Sequence, residues 1–131
     1  MMKKMSAIAF IALFSLLLIP RQEVYAQGRD VEEVEFTVLG NCGMCKERIE
    51  RAAYSVRGVR SANWNQQKQE LTVAFRSDRT NQETIERAIA KVGHDTENFL
   101  ADEETHTNLH QCCIYERDPE LLKKNKLHNE E

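Results

Sequence analysis

Between Val31 and Leu100 the apolar residues change period four times, from two to 3.6 and back, and this order restricts the chain to very few folds. Val34, Phe36 and Val38 alternate with polar residues and predict a strand over 31–39. Ile49, Ala52, Ala53 and Val56 share one face of a helix over about 45–56, which Gly58 ends. Val59–Asn65 predicts a second strand with Ala62 and Trp64 on one face, and Asn65-Gln66-Gln67-Lys68 a hairpin turn. Leu71, Val73 and Phe75 predict a third strand with one buried face. Thr80 as N-cap and Glu83 three residues on form a capping box for a second helix, in which Ile85, Ala88, Ile89 and Val92 recur before Gly93. His94–Leu100 is expected to add a short fourth strand. The order βαββαβ predicts an α+β, ferredoxin-like sandwich in which two helices cover one face of a four-stranded antiparallel sheet.

The chemistry concentrates in one loop of this frame. Gly40-Asn41-Cys42-Gly43-Met44-Cys45 lies where the first strand hands over to the first helix. The first N–H groups of a helix have no internal partner and carry the positive end of its dipole, which favours thiolate over thiol. Thiolate is the form that binds metal, and two intervening residues let both sulfurs converge on one ion. Two thiolates with no third donor nearby suit Cu(I), with Hg(II) or Ag(I) as alternatives; Zn(II) is disfavoured because it takes four ligands. Lys46 and Arg48 stand near enough in sequence to offset the charge of a bis-thiolate complex or simply to be solvated. Met44 is a weaker donor beside thiolates.

Cationic Lys3 and Lys4, an apolar run from Ala7 to Ile19, and Val24-Tyr25-Ala26 have the pattern of a secretory signal peptide cleaved near Ala26. Thirteen apolar residues are too few to span a bilayer comfortably, so no integral membrane segment is expected after cleavage. The expected organisation is a signal peptide over 1–26, a domain over 27–100 and a charged extension over 101–131. Loss of Lys3, Lys4, Arg21 and Glu23 moves the net charge from −3 to −5, which argues against nucleic acid as a partner.

With both patterns in view, the stretch from about Val34 to Phe99 resembles the heavy-metal-associated domain family, which includes copper chaperones, metal-binding domains of copper-transporting ATPases and periplasmic mercury-binding proteins. The matching residues are Cys42 and Cys45, Gly58-Val59, Leu71-Thr72-Val73-Ala74-Phe75 and the Ile85–Gly93 helix ending. The sequence departs from the family at Gly40, where the family carries a Met that packs under the loop. The resemblance implies a non-enzymatic protein and agrees with Cys42 and Cys45 as metal ligands, while the signal-peptide pattern makes the protein secreted or periplasmic. It would pass its ion to a membrane transporter or another metal-binding protein by thiolate exchange, with Cys42 making first contact, or sequester it.

Export makes disulfides available, so a thiol–disulfide oxidoreductase or a metal-sensing module is the competing reading. The C-terminal Cys112 and Cys113 stand as an auxiliary metal pair, as a tail folded over the Cys42 and Cys45 loop, or as inert or bridged thiols. His94, His106 and His110 are weaker candidates. A short helix after Pro119 or a disordered end closes the chain.

Overall fold

The computed structural model describes residues 30–128, with side chains described as far as Asn125; the expected signal peptide lies outside the described residues. Strand β1 (Val31–Thr37) leads through the cysteine loop into α1 (Gly43–Ser55). Strands β2 (Val59–Asn65) and β3 (Glu70–Arg76) form a hairpin, followed by α2 (Gln82–Lys91). All pairings are antiparallel, in the order β1-β3-β2. Phe36 and Trp64 both stand opposite Leu71, and Ala62 opposite Val73, so the strand alternation delivers one continuous apolar face. Ile49, Ala53, Ile85 and Ile89 of the two helices are fully buried against it. Each of the three isoleucines contributes about 1.5–3 kcal/mol relative to exposure. Gly58 and Gly93 take φ of +112° and +105°, which only glycine adopts without strain, and the chain turns there after each helix.

The second helix starts differently from the expectation. Its N-cap is Asn81, whose side chain accepts the Thr84 N–H at 2.9 Å, and Glu83 pairs with Arg87 instead of reaching back to Thr80. Asn and Thr are both good caps, with Asn the stronger, and the helix that opens at Gln82 puts Asn81 in the cap position.

The fourth strand is also corrected: the described residues contain three strands, and His94–Leu100 makes only a single bridge, Val38 with Thr96. Leu39 N–H donates to Asp95 O and Glu97 N–H to Thr37 O, both at about 3 Å, after which pairing stops. The reason is the carboxylate of Glu86, almost wholly buried on α2. It accepts from Thr96 Oγ1 (2.7 Å), Asn98 N–H (3.0 Å), Asn98 Nδ2 (2.9 Å) and Gln82 Nε2 (2.8 Å), so the segment bends toward the helix. A buried carboxylate is tolerable only when its oxygens are satisfied in this way.

Between residues 101 and 128 the expected extension carries regular elements. Helix α3 (Glu103–Thr107), a 3₁₀ turn (Gln111–Cys113) and an extended strap through Arg117 precede α4 (Pro119–His128). Along the strap Cys113 and Tyr115 are buried while Cys112, Ile114 and Glu116 are exposed, the alternation of a strand that has no ladder partner.

The Glu86 junction is testable. Glu86→Ala leaves four donors without their acceptor, and it should lower unfolding stability by about 2–3 kcal/mol. Urea denaturation would read this as a lower midpoint with unchanged slope; an unchanged midpoint would remove the carboxylate from the account of why His94–Leu100 does not form a strand.

Candidate metal centre

Cys42 is the N-cap residue of α1, in extended conformation (φ −147°, ψ 175°), and its carbonyl accepts the Lys46 N–H that opens the helix. No acidic side chain sits in the first turn to compete for the dipole. Cys45, one turn in, is fully buried, and its Sγ accepts the Asn41 N–H at 3.3 Å. The two sulfurs are 3.6 Å apart.

Gly40 shapes the floor of this loop. A Cβ there would come within 3.0 Å of Cys45 Cβ and 3.1 Å of the Trp64 ring. Trp64 is anchored by its indole N–H to Val38 O at 2.9 Å, so an aromatic ring from β2 occupies the space beside the loop that a larger residue at position 40 would need. The loss of the family's Met therefore does not leave the loop unsupported. Met44 is exposed.

The expectation that no third donor lies near is overturned. The 3₁₀ turn brings Cys112 Sγ to 3.1 Å and Cys113 Sγ to 3.6 Å from Cys42 Sγ, with Met44 Sδ 3.6 Å from Cys112. Cys42, Cys112 and Cys113 place their sulfurs within 4.8 Å of one another. All four cysteines are free thiols. Of the sequence alternatives for the tail, the structure thus shows it folded over the first pair. A 3₁₀ turn opening at His110, whose Nδ1 accepts the Cys112 N–H at 3.4 Å, lets both adjacent side chains reach Cys42.

The cluster polarises its own thiols. Partial burial pushes Cys42 up, but hydrogen bonds from Cys112, the Cys45 backbone, Cys113 and the Cys45 thiol outweigh it and bring it down to about 6. Cys112 is raised, chiefly because its proton is shared with Cys42. Burial, then hydrogen bonds to Cys45 and Cys42, hold Cys113 well above the usual thiol range. Within the cluster Cys42 is the cysteine pushed toward thiolate, the form that binds soft ions, while Cys112 and Cys113 are pushed the other way.

Several neighbours have other tasks. Lys46 Nζ is taken up by Glu50, Asn63 Oδ1 and Trp64 O and does not face the sulfurs. His94 is buried, its Nδ1 2.8 Å from Leu39 O, and burial lowers it to about 4, so it is a neutral packing ring stacked on Tyr115. His106 is buried edge-on to the same Tyr115. The tyrosine and Arg117 were not singled out from sequence; the alternation Cys113, Tyr115, Arg117 was their signal.

Residues 41–95 match the family model described as heavy-metal-associated domain, a match that takes in Cys42 and Cys45 and stops short of Cys112 and Cys113. No curated protein matches the chain. Among solved structures it is similar to a CopZ metallochaperone, with 27% identity over 50% of this chain and 98% of that one at a TM-score of 0.48. It is also similar to the N-terminal domain of a potential copper-translocating P-type ATPase from Bacillus subtilis in the Cu(I)-loaded state (26% identity, 51% of this chain and 85% of that one, TM-score 0.49). Oxidized MerP from Ralstonia metallidurans CH34 is a further neighbour (22% identity, 51% and 94%, TM-score 0.49). The family match thus takes in the cysteine loop, α1, the β2–β3 hairpin and α2, and it likens this part of the chain to heavy-metal-associated domains.

Proposed function

We propose that this protein is exported and binds a soft cation, Cu(I) in the first instance, on Cys42 and Cys45, then passes it by thiolate exchange to a membrane transporter or another metal-binding protein, or sequesters it. The observation that carries this reading is the position of Cys42 Sγ, with three other cysteine sulfurs within 3.6 Å at the N-terminus of a helix. Sulfur-only donor sets select Cu(I), Ag(I) and Hg(II) by softness; with a third and fourth sulfur present, Zn(II) loses the objection of too few ligands but remains the harder ion. Each ligating thiol releases its proton to solvent, so a cysteine already held as thiolate is the natural first point of binding. Export is supported by the pattern of residues 1–26, and among the described residues no helix is long and apolar enough to cross a membrane.

Thiol–disulfide exchange is the second reading, favoured by the same 3.1 Å approach of Cys112 to the Cys42 thiolate. The two part company on metal retention. Titrated anaerobically with Cu(I) against a competing chelator, the protein should hold the ion, and Cys42→Ser/Cys45→Ser should lose it. A reduced wild-type protein that holds no Cu(I) would end the metal reading and make the disulfide potential the relevant quantity.

Reactivity gives an independent check. Because the Cys42 thiol is lowered to about 6, its thiolate is populated above that pH and disappears as pH falls through it. Iodoacetamide should therefore modify half-buried Cys42 before exposed Cys112, with a rate that rises through a midpoint near pH 6. Peptide mapping that found Cys112 labelled first would contradict the assignment of the thiolate.

For export, expression of the full gene followed by N-terminal sequencing of the product outside the cytoplasm should give a chain beginning at Gln27. Retention in the cytoplasm with Met1 intact would refute it.

A further inference from the structure

Cys112 and Cys113 lie outside the matched segment, yet they approach Cys42 as closely as Cys45 does. Their approach is built by the fold on both sides of the pair. Ahead of them, Leu109 packs on Gly93, where a Cβ would come within 2.7 Å of its Cδ2. Behind them, Ile114 O accepts from Asn41 Nδ2 at 2.9 Å, a direct tie between strap and cysteine loop. Tyr115 then enters the core, its hydroxyl accepting the Asp95 N–H (2.6 Å) and donating to Gly93 O (3.1 Å). Arg117 finishes the strap with two bonds to the buried Asp95 carboxylate, at 2.7 and 2.6 Å. A tail that merely trailed past the loop would have no use for these buried polar anchors.

We propose that Cys112 and Cys113 are metal ligands, and that with Cys42 they hold a single soft cation in a three-thiolate site that shares Cys42 with the Cys42–Cys45 pair. This deepens the soft-metal reading above and rests on it. Three sulfurs about 2.3 Å from a central ion stand about 4 Å apart. The distances here are 3.1 Å (42–112), 3.6 Å (42–113) and 3.9 Å (112–113), so the 112–113 edge already has the right length and the triangle needs only to open where Cys42 meets the pair. On binding, the thiols that still carry protons release them to solvent, and the excess negative charge of the complex faces the N-terminus of α1. The ligand class is a d¹⁰ cation that accepts three thiolates, with Cu(I) the fitting case.

The consequence concerns exchange. A two-thiolate loop lies open to a partner's thiol, whereas here the third position is filled from within. Cys112 is exposed, Cys42 half-buried and Cys45 fully buried, so an incoming thiol displaces Cys112 first.

The test uses the full protein with Cu(I) as probe, X-ray absorption to count sulfur neighbours and chelator competition to read affinity. Wild type should bind one Cu(I) with three sulfurs. Cys112→Ser/Cys113→Ser should still bind one, with two sulfurs and an affinity lower by at least the roughly 10–100-fold that supporting residues of metal sites typically contribute. Because Cys113 is fully buried and its variant could misfold, Cys112→Ser alone, at an exposed position, must show the same fall in sulfur count. Unchanged coordination and affinity in the strap variants, with binding lost in Cys42→Ser/Cys45→Ser, would overturn this proposal and leave the soft-metal reading standing. Two independently held ions would overturn the shared site. A wild-type protein that holds no Cu(I) would remove both.

Discussion

The ion pair between Asp95 and Arg117 is the joint on which the arrangement of the cysteines depends. The Asp95 carboxylate is almost wholly buried; it takes two bonds from Arg117 and one from the Ala101 N–H at 2.8 Å. The same residue's backbone N–H goes to Tyr115 and its carbonyl to the Leu39 N–H, one residue before the cysteine loop begins. One residue therefore holds both the root of the loop and the anchor of the strap. A buried ion pair returns little net stability, since the desolvation of both charges offsets most of their attraction. What it does impose is register. With Arg117 fixed at Asp95 and Tyr115 fixed at Gly93, a strand-like period of two leaves Cys113 facing inward against the cysteine loop.

This also explains which parts of the fold were legible in the chain. The apolar alternation in β1, β2 and β3 and the helical stripe through Ile49 and Ile85 state which side is buried, because apolar burial is what hydropathy measures. His94, Asp95 and Thr96 are each fully buried, as is almost all of Glu86, and they are polar. Their burial is licensed by partners distant in sequence, such as Tyr115 for Asp95 and Thr96 for Glu86, and no local pattern announces such pairings. The expected fourth strand failed at this point, and the tail, composed mostly of polar and charged residues, read as an appendage for the same reason.

The candidate site divides along the same line. Cys42 and Cys45 were legible because a strand-to-helix junction and a two-residue spacing are local properties. That Cys112 and Cys113 join them was one alternative among several, since the decision lies with the 3₁₀ turn and with buried anchors that only the assembled core supplies. Gly40 shows the reverse case. Its departure from the family pattern was visible at once, but its meaning depends on Trp64, a residue 24 positions on whose ring lies 3.1 Å from where a Cβ would stand.

The proposed site then turns on how a donor set is assembled. A pair of cysteines within one turn of a helix is placed by the backbone of that turn and by the helix's packing on the sheet, with no help needed from the strap. A third ligand carried on a strap is preorganised only as far as the strap is held, so its contribution can be withdrawn without unfolding the domain that carries the other two. Here the anchors on the strap, Tyr115 and Arg117, belong to the core, while the ligand nearest Cys42, Cys112, lies at the surface. Tight holding and accessible exchange usually oppose one another in a thiolate site. Separating the anchor from the exchangeable ligand by a few residues of extended chain lets one site have both.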